Sequence, residues 1–102
     1  MADISSYQED STLLVVISGT FNFEDNPQFR AIPRMVEERK VNHVTIDLAQ
    51  LKMIDSAALG MLMMLRKRCD EFGASLTLKN PQGGIQKIFE VSKFYEIFNI
   101  VS

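Results

Sequence analysis

The stretch DSAALGMLMMLRKRCDEFG, running from Asp55 to Gly73, decides the fold of this chain. Its apolar residues recur at helical spacing, and a closing glycine is typical of a helix C-terminus. The stretch therefore predicts an amphipathic helix over 55–72. At about 100° per residue, one stripe of this helix, roughly 80° wide, is apolar and should pack on a sheet. The stripe consists of Ala58, Leu62, Leu65, Cys69 and Phe72.

The opposite side of the same helix carries a second line of residues, which should face solvent or a partner. Methionine is adaptable, and an exposed apolar strip beside a hydroxyl group suits a protein interface. This outer line consists of Ser56, Gly60, Met63 and Lys67, and it is flanked by Ala57 and Met64.

The segments around this helix predict strands. The β-branched run at 13–17 indicates a strand that is central in the sheet and buried on both faces. Residues 4–7 can pair with it in antiparallel fashion through a polar turn at 9–11. Further strands are expected at 43–48 and 76–78.

Two more helical segments are predicted, one before and one after the central helix. The first should start with Asn26 as N-cap and Pro27 at the first helical position, with Pro33 bending it or delaying its true start. Its apolar positions are Phe29, Ile32, Met35 and Val36. The second covers 85–90, and 95–101 should form a final strand or helical turn. Strands alternating with helices predict an α/β fold, a mixed sheet covered by helices, with residues 1–102 as a single domain.

Composition narrows the function. The net charge is -2 and the cationic residues are scattered, so neither nucleic acid nor an anionic membrane is expected as a partner. The longest apolar or glycine run, 57–65, is too short to span a bilayer. The lone Cys69 cannot form an internal disulfide and 1–11 is too polar for a signal peptide, which favours a cytoplasmic protein. A folded monomer without metal or cofactor is expected.

The residues do not favour an enzyme. A serine nucleophile needs a base, and the single histidine, His43, opens a strand whose far end leads toward Ser56, about 16 Å away. No catalytic residue is therefore assigned. A receiver domain phosphorylated on Asp55 would need an acidic pair at the end of the first buried strand. This chain has Ser18-Gly19 there, which does not favour a receiver domain.

The start of the central helix leaves two interpretations open. Asp55 or Ser56 can simply be the N-cap, since both residue types accept a backbone N–H bond there. Alternatively, Ser56 can carry a phosphate, because it follows a strand at a helix N-terminus, where free N–H groups and the helix dipole accommodate an anion.

The segment DLAQLKMIDSAALG, residues 47–60, resembles the signature of STAS domains, in particular the small bacterial anti-sigma-factor antagonists. Further similar segments are 19–22, 72–74 and 85–91. The resemblance implies that a serine kinase, which also sequesters a target such as a sigma factor, phosphorylates Ser56. It further implies that a PP2C-type phosphatase reverses the modification and that the unphosphorylated form binds the kinase.

Carried across by position, the resemblance makes Asp55 the acidic neighbour of the phosphoacceptor and Asn22 the polar residue of a nearby loop. The chain departs from the family pattern at Asn22, where aspartate is common, and at Ala57-Ala58, where a hydroxyl residue and a glycine are usual. Ser56 is thus the only hydroxyl acceptor in the motif. The partner-binding surface is expected to comprise Asn22, Asp55, Ser56, Ala57, Gly60, Met63, Met64 and Lys67.

Two classes of function follow. The first is a phosphorylation-controlled partner switch, whose output is a sigma factor or another pathway such as biofilm or exopolysaccharide production. The second is a constitutive scaffold subunit in which Ser56 is only a helix cap.

Overall fold

In the computed structural model, which describes residues 1–102, an initial pair of strands is followed by alternating helices and strands. The strands are β1 (Ala2–Glu9), β2 (Thr12–Phe21), β3 (His43–Asp47), β4 (Leu51–Ile54), β5 (Ser75–Lys79) and β6 (Asn99–Val101). The helices are α1 (Asn26–Phe29), α2 (Ala31–Glu38), α3 (Ser56–Phe72), α4 (Gly83–Val91) and α5 (Phe94–Ile97), and a 3-10 turn covers Phe23–Asp25. The predicted α/β fold is confirmed.

The six strands form one mixed sheet with the order β1-β2-β3-β5-β6, and β4 pairs with β2. Only the β1–β2 pair is antiparallel. The first half of β2 pairs with β3 and its end pairs with β4, with an irregularity in register between Gly19 and Thr20. Gly19 has a φ of 84°, a left-handed conformation that favours glycine, and it marks this change of partner. The central position predicted for the 13–17 strand is confirmed.

The expectation that 13–17 is buried on both faces is wrong. Leu13, Val15 and Ile17 are fully buried, whereas Leu14 and Val16 are only half-buried. The buried residues join those of the helices in one core, so the helices cover one face of the sheet. A run of apolar residues could not distinguish a strand buried on both faces from one whose outer face is shielded by neighbouring side chains.

The first helical segment begins earlier than predicted. The N-cap is Asn22, whose side-chain oxygen accepts from the Glu24 N–H at 3.0 Å, while Asn26 lies inside the helical region. The segment is broken at Arg30, and Pro33 lies in the first turn of α2. Proline is tolerated there because the first turn has N–H groups without helical acceptors. Asn26 as N-cap is therefore wrong. Pro33 does not delay the start of the segment, which is instead interrupted at Arg30, three residues before the proline.

Two differences occur elsewhere along the chain. The strand β4 was not predicted, because four residues between a strand and a helix carry too little periodicity to be recognised. At the C-terminus, a helical turn (α5) and a strand (β6) both form within the segment where one or the other was expected. The remaining strands and helices lie within a few residues of their predicted positions.

Candidate functional site

The helix α3 lies on the core with the predicted phase. Leu62 and Leu65 are 0% exposed, whereas Met63 is 46% exposed. Of the predicted apolar stripe, only Phe72 is not fully buried, and Met61 adds to the buried face. All members of the outer line are exposed, namely Ser56, Gly60, Met63 and Lys67, and so are Ala57 and Met64 beside it.

Asp55 is the N-cap of α3. Its backbone is extended, and its Oδ1 accepts a hydrogen bond from the Ala58 N–H at 2.8 Å. The Asp55 N–H donates to the Phe21 carbonyl at 3.2 Å, which anchors the start of the helix to the end of β2. Ser56 is the first helical residue and is exposed. Of the two residues considered for capping, Asp55 has this role, and Ser56 as the cap is wrong.

A short loop beside this helix start is tied down by a buried carboxylate. Asp25 is 0% exposed, and its Oδ2 accepts from the Asn22 N–H while its Oδ1 accepts from the Ala2 N–H, both at 3.0 Å. The Asn22 side chain in turn accepts from Glu24, which completes a capping box. Both carboxylate oxygens thus have partners, and the position of Asn22 is held from two sides.

The structure brings this loop and the start of α3 to one edge of the sheet. Because β2 and β4 are parallel neighbours with Phe21 opposite Ile54, the residues that follow them leave the sheet together. Asn22 follows β2, and Asp55 and Ser56 follow β4. Three of the predicted site residues, which are more than thirty positions apart in sequence at their extremes, are therefore neighbours at this edge.

Exposed apolar side chains accompany Ser56 at this edge. Phe23 is 68% exposed and Met53 is 59% exposed, and each lies within three residues of Asn22 or Ser56 along the chain. Met63 and Met64 are 46% and 63% exposed, and they lie about 10–12 Å along α3 from Ser56 at 1.5 Å per residue. Phe23, Met53, Met63 and Met64 are called the exposed apolar patch below.

Phe23 and Met53 were missed by sequence reasoning. Met53 lies in β4, whose burial does not alternate, since Leu51 and Ile54 are buried and both residues between them are exposed, so a period of two could not have placed it outward. Phe23 gives no such signal, because its exposure results from the 3-10 turn that Asn22 and Asp25 cap.

His43 lies at the far end of the sheet from Ser56. It is paired with Thr12 at the start of β2, whereas Asp55 is bonded to Phe21 at the end of β2. The nine steps along that strand correspond to about 30 Å at 3.3 Å per residue. The His43 ring instead contacts the hydroxyl group of Ser75. His43 is therefore out of reach as a base for Ser56.

Cys69 lies on the buried stripe of α3. Burial, with a smaller contribution from the charge of Asp70, raises the pKa of its thiol to about 11. The thiol therefore stays protonated at neutral pH and is a weak nucleophile.

No helix of the structure is both long enough and apolar enough to cross a membrane.

Comparison with known proteins gives matches over most of the chain. The family model described as the STAS domain matches residues 3–102. A STAS-domain containing protein of Pseudomonas aeruginosa, PA14_20770, is 33% identical over 88 residues, which are 86% of this chain and 86% of that protein. BtrV, a candidate anti-sigma factor antagonist of Bordetella bronchiseptica, is 25% identical over 91% of this chain and 80% of its own.

Solved structures share the fold at low sequence identity. The anti-sigma factor antagonist SpoIIAA of Bacillus in its unphosphorylated form superimposes with a TM-score of 0.76 at 16% identity, covering 100% of this chain and 87% of its own. In its phosphorylated form the TM-score is 0.75 at 15% identity, covering 98% of this chain and 92% of its own. At such identities the likeness concerns the fold alone.

Proposed function

The chain belongs to the STAS domain family, and from that premise we propose that it is a partner-switching regulator controlled by phosphorylation of Ser56. Its fold is that of the anti-sigma factor antagonists. In the proposed cycle, the unphosphorylated form binds a serine kinase of the anti-sigma type. Phosphorylation by that kinase weakens the complex, and a PP2C-type phosphatase restores binding.

The observation that carries the proposal is that Asp55 caps the helix while the neighbouring Ser56 is exposed. Because Asp55 accepts the backbone N–H bond that a cap must accept, the exposed hydroxyl of Ser56 is available to a kinase. A phosphate there would sit in the first turn of α3, where the helix dipole favours negative charge by about 0.3–1 kcal/mol. The domain can therefore carry the modification without unfolding.

The surroundings of Ser56 suit a protein partner. The exposed apolar patch offers large side chains that a complex would remove from water, each contributing up to about 1.5–3 kcal/mol when fully buried. Apart from its own stretch of helix, Gly60 on the outer line has no heavy atom within 4 Å of the place its Cβ would occupy, so a partner can approach the helix closely. Asn22, Ala57 and Lys67 complete the proposed binding surface.

Phosphorylation would oppose such a contact electrostatically. A phosphoryl group adds about -1.5 to -2 charges, next to the existing carboxylate of Asp55. A docked partner would have to desolvate that charge, and an uncompensated buried charge commonly costs about 3–5 kcal/mol. A loss of about 3 kcal/mol corresponds to roughly a hundredfold lower affinity. The interface should therefore lose more than the fold does.

The test begins with intact-mass spectrometry after incubation with the serine kinase encoded in the same genome. We expect one added phosphate on the natural protein and none on Ser56→Ala. The control is Ser5→Ala, which removes a different exposed serine, on β1, and should still gain one phosphate. Titration calorimetry then compares the kinase affinity of the unmodified, phosphorylated and Ser56→Ala proteins.

The expected order is tight binding for the unmodified and Ser56→Ala proteins and about a hundredfold weaker binding after phosphorylation. Ser56→Asp should lie between them, because aspartate supplies one charge and lacks the tetrahedral oxygens. Equal affinity for all forms would leave the constitutive scaffold as the better description. Whether the output is a sigma factor or a pathway such as biofilm formation is decided by which protein the kinase releases when this domain binds.

A further inference from the structure

A groove of about 820 Å³ runs between the α1–α2 segment and α3, alongside the proposed switch. Its apolar lining includes Phe29, Met61 and Leu65, which are largely buried in the core, and Met64, which is 63% exposed. Its end toward the start of α3 is lined by Ala57, the residue next to Ser56. The groove is large enough for one or two bulky side chains of a partner.

The rim of this groove is cationic. Three arginines line it, Arg30, Arg34 and Arg68, against a single carboxylate, Glu37. This gives a local formal charge of 3 - 1 = +2 in a chain whose net charge is -2. The groove is therefore locally positive although the molecule as a whole is negative.

The arginines differ in how far they are already engaged. Arg68 forms an ion pair with Glu71 at 3.4 Å and stacks over the ring of Phe72. Arg30 and Arg34 are exposed and take no part in the ion pairs of the structure. They are four residues apart across the α1–α2 junction, so their guanidinium groups are free to meet carboxylates of an incoming segment.

We infer that this groove binds an acidic amphipathic segment of a partner protein, with apolar side chains on the groove floor and carboxylates toward Arg30 and Arg34. The apolar lining favours a side chain over a small hydrophilic anion, and the arginine rim selects negative charge. Gly60, which also lines the groove, allows close approach of the partner backbone.

The inference rests on the proposed function for its regulatory part. A phosphate on Ser56 would add negative charge one residue from Ala57 at the end of the groove. An acidic segment in the groove would be repelled by it. The same modification would thereby weaken both the contact at the exposed apolar patch and the contact in the groove.

The test uses a synthetic peptide in which leucine and phenylalanine are placed at helical spacing among glutamates. A matched peptide carries lysine at each glutamate position. Each is titrated into the ¹⁵N-labelled unphosphorylated protein and followed by NMR. We expect the acidic peptide to shift the amide signals of Arg30, Arg34, Ala57 and Gly60, and to bind at least tenfold more tightly than the basic peptide. Binding should weaken as salt is raised.

Charge-reversed variants locate the site. Arg30→Glu combined with Arg34→Glu should weaken the acidic peptide at least tenfold. The control, Arg39→Glu combined with Lys40→Glu, changes net charge equally at exposed positions outside the groove and should bind like the natural protein. Circular dichroism checks that both variants fold. An equal loss of peptide affinity in both double variants would show that only net charge matters, and would contradict a specific site in the groove.

Other outcomes separate this inference from the proposed function. If neither peptide shifts the groove signals, or if inorganic phosphate or phosphatidylglycerol vesicles compete as well as the acidic peptide, the assignment to a protein segment is wrong. Ser56 phosphorylation and kinase affinity would be unaffected by that result. Conversely, equal kinase affinity for all Ser56 forms would remove the switch and leave the peptide measurement standing. The regulatory part requires weaker peptide binding by Ser56→Asp, and unchanged binding would refute it.

Discussion

Adjacent residues at the start of α3 have separate physical roles. Asp55 has an extended backbone and satisfies the Ala58 N–H, whereas Ser56 has helical geometry and an exposed side chain. The difference is one of backbone position, since the extended backbone of the residue before the first helical turn directs its side-chain oxygen to the free N–H groups of that turn. Stability should therefore depend on Asp55 and regulation on Ser56.

That separation can be measured by chemical denaturation. Asp55→Ala should lower the free energy of unfolding by about 1 kcal/mol, because the Ala58 N–H loses its acceptor. Ser56→Ala should change it by less than about 0.5 kcal/mol, as for an exposed position without a structural contact. If the Ser56 variant were the more damaging of the two, the cap would have been assigned to the wrong residue.

The Cys69 thiol gives a prediction about pH. Its pKa in the folded protein is raised to about 11 from an ordinary 9.0, so the protonated form is favoured by folding. The stabilisation is complete below pH 9 and is lost as pH rises through about 11. At pH 8 an alkylating reagent should therefore modify native Cys69 far more slowly than denaturant-unfolded protein, as followed by mass spectrometry. Equal rates would show that the thiol is accessible in the native state.

At the scale of the element, α3 presents two unlike sides to its surroundings. One side contributes Leu62 and Leu65 to the core, and the other carries Met63 and Met64 into solvent. Leu62 and Met63 lie about 100° apart on the helix, at the boundary between the two sides, so substitutions at these two neighbouring positions probe different environments.

Glutamate scanning should separate these sides. Leu62→Glu buries an unpaired charge and should abolish cooperative folding, whereas Met63→Glu should change the unfolding midpoint only slightly. Met63→Glu should nevertheless weaken kinase binding, because it places a charge in the exposed apolar patch. Thermal melts and titration calorimetry measure the two effects. A Met63 variant as unstable as the Leu62 variant would contradict the observed helix phase.

At the scale of the whole molecule, two side chains, one from the 3-10 turn and one from α1, hydrogen-bond to the backbone of the long edge strand β1. The Ala2 N–H donates to Asp25, and the Ile4 carbonyl accepts from the Gln28 side chain at 3.1 Å. Edge strands with free N–H and carbonyl groups invite pairing with a second chain. Here part of that edge is already hydrogen-bonded within the monomer.

We therefore expect a monomer in solution. Size-exclusion chromatography with light scattering should give a mass near 11.6 kDa across the accessible concentration range. Asp25→Ala should weaken this protection, because it frees the Ala2 N–H and removes an acceptor from Asn22. It should raise the tendency to associate as well as lower stability, whereas Glu24→Ala, at the exposed neighbouring position, should do neither. A stable dimer of the natural protein would contradict this expectation and would count against the surface around Ser56 being free for a kinase.

The amino-acid sequence by itself determined the features that depend on local periodicity and local turn chemistry. The length, phase and glycine end of α3 and the antiparallel first strand pair follow from spacing and backbone preference. The exposure of Ser56 follows as well, because the core stripe of Leu62, Leu65 and Cys69 fixes the direction of every other side chain on that helix.

Only the tertiary structure decided which elements meet. The short strand β4 exists because the end of β2 extends beyond β3 and offers it hydrogen-bonding partners. The burial of Asp25, the exposure of Phe23 and the arginine-rimmed groove likewise depend on residues far apart in sequence. Long-range pairing and the packing of one element on another set these features, and neither leaves a period in the sequence from which they could be read.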